Sequence, residues 1–198
     1  MVTDEAILAA ALEQFALAGV RRTSADDVAR RAGVNRATLY RRFGSRDQLL
    51  GAAYLHEAGR VLEELTRRVP DVPADAEADF DPADNVVTMF TEAVWLMRGH
   101  SLLQRMREVD HDHIARGMTS GAADVLGFAA DTIAHRVREL HRWRGTEPPA
   151  DPRDLGHTVA RLIHSLVLTP GGGPDLESPE SARRYAATVV VPLVLGPY

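Results

Sequence analysis

The chain has 198 residues, 45% hydrophobic and 26% charged, which is the composition of a globular protein and not of a disordered one. It contains no cysteine, which excludes a disulfide framework, a thiolate zinc site and a cysteine nucleophile; no apolar run approaches the roughly 18 to 20 residues that cross a bilayer. The formal net charge of -5 speaks, as an average, against a nucleic-acid binder.

The opening MVTDEAILAA carries acids where a secretory signal carries Lys or Arg, so the chain reads as cytoplasmic. From residue 3 to 18 the apolar residues Leu8, Ala11, Leu12 and Phe15 recur at helical spacing, and Gly19 supplies a stop. Ser24, with Asp27 three residues on, forms a relative of the capping box for a second helix whose inward face is Val28, Ala29 and Ala32, before Gly33. Asn35 caps a short third helix with Leu39 and Phe43 inward, ending at Gly44. Ser45 and Gln48 open a fourth, which runs through Leu49, Leu50, Leu55, Val61, Leu62 and Leu65 to about Val69. At about 1.5 Å per residue it would be roughly 37 Å long.

Residues 70–84 hold three prolines and six acids and read as a flexible acidic connection. Helical patterns resume over residues 82–99, 102–109, 119–143 and 151–169, and Pro170 to Pro174 is a loop. Pro179 opens a last segment whose run from Val189 to Leu195 is β-branched enough for a strand; with no partner strand elsewhere, a buried helix kinked at Pro192 is preferred.

Residues 21–46 contain eight arginines against two acids, Asp26 and Asp27, a local charge of +6. With the total at -5, the remainder carries -11. All 23 basic residues of the chain are Arg. This asymmetry fits a small polyanion-binding module joined to a larger acidic part, although a solvated basic surface would give the same charge count.

The order of helices decides between them. Helix two, a turn at Gly33 that needs a left-handed backbone, and helix three form a helix-turn-helix, whose second helix enters the major groove. At 100° per residue Arg36, Ala37, Tyr40 and Arg41 fall on the face opposite Leu39 and Phe43. Arg can donate a pair of hydrogen bonds to guanine, hydroxyls reach phosphates, and Ala37 permits close approach. Thr23, Ser24 and the amides opening helix two can hold a phosphate, as can Arg46 beside the amides opening helix four.

The stretch TSADDVARRAGVNRATLYRRFGSRDQLL resembles the DNA-binding signature of the TetR family of transcriptional regulators, over residues 4 to about 50. The resemblance implies DNA contacts from the Thr38 hydroxyl and Tyr40, and a backbone grip from Arg46 in place of the family's usual Lys. Asn35 stands where Ser is frequent; both departures keep the physical role, since Asn also caps and Arg also pairs with phosphate. It further implies an all-α chain: a three-helix DNA-binding domain over residues 1–46, then a larger helical domain over residues 47–198 that binds a small effector and dimerises through its last two long helices. The expected partners are therefore a double-stranded operator, a small molecule and a second copy of the chain, with no cofactor.

Two apolar stripes could serve that dimer, Leu155, Val159, Leu162, Ile163 and Leu166 on one helix and Ala182, Tyr185, Ala186, Val189 and Val190 on the last; burial within one chain explains them equally well. Met89, Phe90, Trp95, Met97, His100, Met106, Phe128 and His164 are candidates for an effector pocket, or ordinary core residues. Trp143 reads as a helix end packed on a loop. The cluster Asp110, His111, Asp112, His113 invites a metal reading, hence a rival metal-dependent enzyme. Successive side chains on a helix point 100° apart, however, and a solvated loop explains the cluster better. No nucleophile elbow, HExxH or phosphate-loop motif is present, so no catalytic residue is named. The reading is a ligand-responsive repressor, the alternative a constitutive DNA-binding factor whose second domain only dimerises.

Overall fold

Helix α1 (Asp4–Ala18) begins where the Thr3 side chain accepts from the Ala6 amide and stops at Gly19, whose amide reaches the Phe15 carbonyl. The computed structural model describes residues 2–75, 78–109, 122–169, 171 and 173–197. Among these the regular elements are all helical: α2 (Ala25–Arg31), α3 (Arg36–Phe43), α4 (Arg46–Arg68), α5 (Pro82–Arg98), α6 (Ser101–Val109), α7 (Ala123–Arg144), α8 (Pro152–Leu168), α9 (Pro179–Tyr185) and α10 (Val191–Leu195). Among the described residues no helix is long and apolar enough to cross a membrane.

The chain divides into two compact units, residues 1–60 with 99–125, and residues 61–98 with 126–198. The first is wider than the 1–46 segment delimited from sequence, because it takes in the early turns of α4 together with α6. Its core is the inward face of each short helix: Ile7, Leu8, Leu12 and Phe15 from α1, Val28 and Ala29 from α2, Leu39 from α3, Leu49 and Ala53 from α4. Leu102 of α6 packs on the same cluster. None of α1 to α3 is long enough to be stable alone in water, so burial of these faces holds the unit together.

The second unit is built on α5, whose Val86, Val87, Phe90 and Val94 are buried. Leu65 and Val69, at and beyond the end of α4, pack with Ala93 and with half-buried Leu62, Met89, Leu96 and Ile163. α7 and α8 cross closely at Gly156, where a Cβ would lie 2.2 Å from the Ala130 carbonyl oxygen. That backbone cannot yield as a side chain would, so the crossing requires glycine.

Two sequence expectations change in this unit. The segment over residues 70–84 is tied down at several points: the Asn85 side-chain amide and the buried Arg136 guanidinium both donate to the Pro70 carbonyl, at 2.8 and 3.2 Å. Further along, the Trp143 indole donates to the Asp75 carbonyl at 3.1 Å and meets the Phe80 ring edge-on at 5.2 Å. Trp143 thus does pack on a loop. At the C-terminus the irregularity lies ahead of Pro192: a π turn over Ala186–Val190 lets the Val191 amide reach back five residues to the Ala186 carbonyl. The proline, with no N–H and a ring that crowds the carbonyl four residues back, then falls in the first turn of α10, where it is tolerated.

Candidate nucleic-acid interface

The segment from α2 through α3 is fixed by local chemistry. Ser24 accepts from the Asp27 amide at 3.2 Å and Asp27 accepts from the Ser24 amide at 3.0 Å, a reciprocal cap on α2. Hydrogen bonds from the Ser24 hydroxyl and amide, with Arg30 nearby, hold the Asp27 carboxyl below the usual carboxylate range. At the turn, Gly33 has φ +68°, and the next amide, of Val34, closes back on the Ala29 carbonyl at 2.9 Å. The Asn35 side-chain oxygen then accepts from the Thr38 amide at 2.7 Å and starts α3.

Leu39 is the one fully buried residue of α3. Around it Arg36, Ala37 and Arg41 are exposed, Thr38 is half-buried, and Tyr40 leans its ring on the core while remaining partly open to solvent. The outward face read from the sequence is therefore present.

Its cations differ in how they are held. Arg41 makes no hydrogen bond or ion pair among the described residues, so its donors are free. Arg36 Nη1 pairs with Asp26 Oδ2 at 3.0 Å, and its guanidinium carbon sits 5.3 Å from the centre of the Tyr40 ring. The Asp26 charge, with Tyr40, raises the Arg36 pKa above its usual value and keeps it protonated. Arg42 is turned toward the chain start, donating to the Val2 carbonyl at 2.7 Å and pairing with Asp4 at 3.0 Å.

Thr23 and Arg46 sit behind this face. Thr23 is buried and its hydroxyl donates to the Gly19 carbonyl at 2.8 Å. Arg46 is half-buried, with its guanidinium donating to the carbonyls of Val20 and Thr23 in the α1–α2 loop. Both side chains therefore brace that loop, a role the residue types alone do not reveal. Ser24 and Asn35 are exposed, with their side-chain oxygens engaged in capping.

Residues 7–53 match the model of bacterial regulatory proteins of the tetR family. This quarter of the chain is a TetR-type DNA-binding segment. An uncharacterized HTH-type transcriptional regulator of Mycobacterium tuberculosis is 27% identical to this chain over 85% of it and 74% of the relative. Among solved structures, the TetR-family repressor QsdR of R. erythropolis superposes with a TM-score of 0.67 at 17% identity, covering 97% of this chain and 94% of that one. FadR of Bacillus subtilis, solved with stearoyl-CoA, gives 0.54 at 15% identity over 98% of both chains. These likenesses show the fold: a helix-turn-helix domain followed by a larger helical domain. The relatives named here are regulators of transcription, and the segment of this chain that matches the family model is its helix-turn-helix.

The residues named from sequence as effector candidates are dispersed. Met89 and Phe90 line a partly open cavity of about 20 Å³ in the second unit, with Val86, Ile133, Val137, Leu140, Val159 and Arg136 among its walls. Ile133, Val137 and Leu140 share one face of α7, so the helical period carries the signal that the sequence reading passed over. Trp95, Met97 and His164 are half-buried and do not line that cavity, and Phe128 is exposed. The side chain of Met106, and the cluster Asp110 to His113, lie outside the described residues.

His100 belongs to the first unit. Its Nδ1 accepts from the Leu103 amide at 3.3 Å, capping α6, which leaves the Nε2 proton to donate to Glu57 Oε1 at 2.9 Å. The His100 hydrogen bond, with Arg60 adding its charge, holds the Glu57 carboxyl below the usual 4.5. The unfolded chain takes up that proton more readily than the folded one. The contribution is thus fully present above the ordinary glutamate pKa and is lost as pH falls through the lower folded value. Glu57→Gln should therefore melt below the unsubstituted chain near neutral pH, with the difference closing as the pH falls below the ordinary glutamate range. A melting difference that stays constant from neutral to acid pH would contradict this.

Proposed function

We propose that the chain represses transcription by binding a palindromic operator as a homodimer and is released by a small-molecule effector. The observation that carries the reading is the face of α3, where Arg41 is unpaired and Arg36 exposed while Leu39 anchors the helix from behind. Ser24, Asn35, Arg36, Ala37, Thr38, Tyr40 and Arg41 form the proposed DNA face, with Thr23 and Arg46 supporting the loop beside it. The chain acts where its operator lies, in the cytoplasm. DNA binding belongs to residues 1–46 and effector binding and dimerisation to residues 47–198.

A short helix-turn-helix gains affinity by gripping two half-sites about 10 bp or a multiple apart, which favours a dimer. Most of the two apolar stripes is consumed by the second unit's own core: Leu155, Val159, Leu166, Ala182, Ala186 and Val190 are buried. What they leave for a partner is Val189, 42% exposed, beside half-buried Leu162, Ile163 and Tyr185. Two structural neighbours support the reading: QsdR is a transcriptional repressor, and FadR was solved in complex with stearoyl-CoA. α4 runs unbroken from Arg46 to Arg68, and a ligand that favours another tilt of it would spoil half-site spacing in proportion to its differential affinity.

A second reading, a constitutive factor whose second domain only dimerises, is favoured by the cavity itself. About 20 Å³ is room for roughly one water, far less than a small-molecule effector needs. Selection of duplexes from a randomised pool by the purified chain, followed by thermal shift of the chain over a metabolite panel, tests both. A two-fold symmetric site together with a stabilising compound supports ligand-responsive repression. A symmetric site with a silent panel supports the constitutive reading, and a chain that retains no duplex at low salt overturns both.

A further inference from the structure

Asp26 is an acid on the side of the first unit proposed to meet a polyanion, and the proposed function gives it no task. Its side chain is 61% exposed and that of its partner Arg36 58%, so the pair adds little to folding, as exposed ion pairs do. α2 and α3 already hold one another through buried Val28, Ala29 and Leu39. An extra negative charge beside phosphates weakens binding to every duplex alike. An acid there is useful only if it changes what its partner does.

The geometry around Arg36 supplies that effect. A free arginine samples many rotamers, and its head is equally content with any phosphate. Here Nη1 is taken by Asp26 from α2, and the guanidinium is also held over the Tyr40 ring one turn along α3. Two constraints from different elements leave few rotamers. With Nη1 committed, the Nε and Nη2 edge retains the parallel donors that match the paired acceptors of a guanine and exceed what one phosphate oxygen needs. Arg41, four positions from Ala37 on the same face, has no such holder.

We propose that Asp26 is a positioning residue for sequence reading: it sets Arg36 across the Tyr40 ring, so that α3 presents one arginine already oriented toward a base edge and one free to find the backbone. The inference rests on the DNA-binding reading above, and it trades general affinity for discrimination. Asp26→Asn should bind non-cognate duplex more tightly than the unsubstituted chain does.

The test is a double-mutant cycle with the full-length chain, on the duplex that the unsubstituted chain selects from a randomised pool and on every single-base variant of it. Discrimination against one base-pair position should fall on the order of fivefold in Asp26→Asn and at that same position in Arg36→Ala, with no further fall in the double variant. Asp26→Glu, which keeps the charge, should retain it. A merely structural role would lower the melting temperature without relaxing one position. Unchanged discrimination in Asp26→Asn, or independent effects that multiply in the double variant, would overturn the inference while leaving DNA binding intact. A chain that selects no duplex would remove the reading beneath it as well.

Discussion

Leu39→Ala should destabilise the first unit by about 2–5 kcal/mol and take DNA binding down with it. Leu39 is fully buried and is the sole residue of α3 wholly inside the core, between α1, α2 and the early turns of α4. Truncating it removes the transfer free energy of the side chain and leaves a hole that the surrounding helices fill only in part. An eight-residue helix has almost no stability of its own, so nothing else can keep α3 in register; Phe43 and Tyr40 touch the core only partly. Urea unfolding of the variant beside the unsubstituted chain measures the loss, and duplex affinity of the folded fraction measures the consequence. Equal midpoints in the two proteins would show that α3 is held by something other than Leu39.

Arg41→Ala is the second large effect, expected at about 1–3 kcal/mol of binding free energy, or about 5- to 150-fold in affinity for the selected duplex. Arg36, Arg42 and Arg46 each donate to a group of the chain itself, whereas Arg41 does not, so its whole hydrogen-bonding capacity is open to DNA. Two outcomes identify its target. Uniform weakening, with the dependence of log affinity on log salt reduced by about one, is expected of an arginine that grips the backbone; relaxed preference at one base pair would make Arg41 a base reader instead. Unchanged affinity for all duplexes would remove Arg41 from the interface.

Much of the fold was legible because its punctuation is local. Thr3, Ser24, Asn35 and Ser178 each cap the helix that follows them by bonding to an amide three residues on, and Gly19, Gly33 and Gly44 end helices with positive φ. Such signals need only a few neighbouring residues. The outward face of α3 was legible for the same reason, since it follows from the helical period and one buried anchor. The walls of the cavity in the second unit were legible only in Met89 and Phe90. Bulk with a polar handle selected His100, which caps α6, and exposed Phe128, because residue type says nothing about which of several helices a side chain will meet.

Residue order by itself thus determined the helices, the helix-turn-helix and the surplus of arginine on it. Which arginines are free was decided by tertiary structure. Arg36 meets Asp26 ten positions away, Arg46 meets Thr23 twenty-three away, and Arg42 meets Val2 forty away. The physical reason is one of range: a cap or a turn is closed by atoms a few bonds along the chain, whereas a guanidinium on a long side chain is claimed by whatever carbonyl or carboxylate the packing of other helices brings within 3 Å.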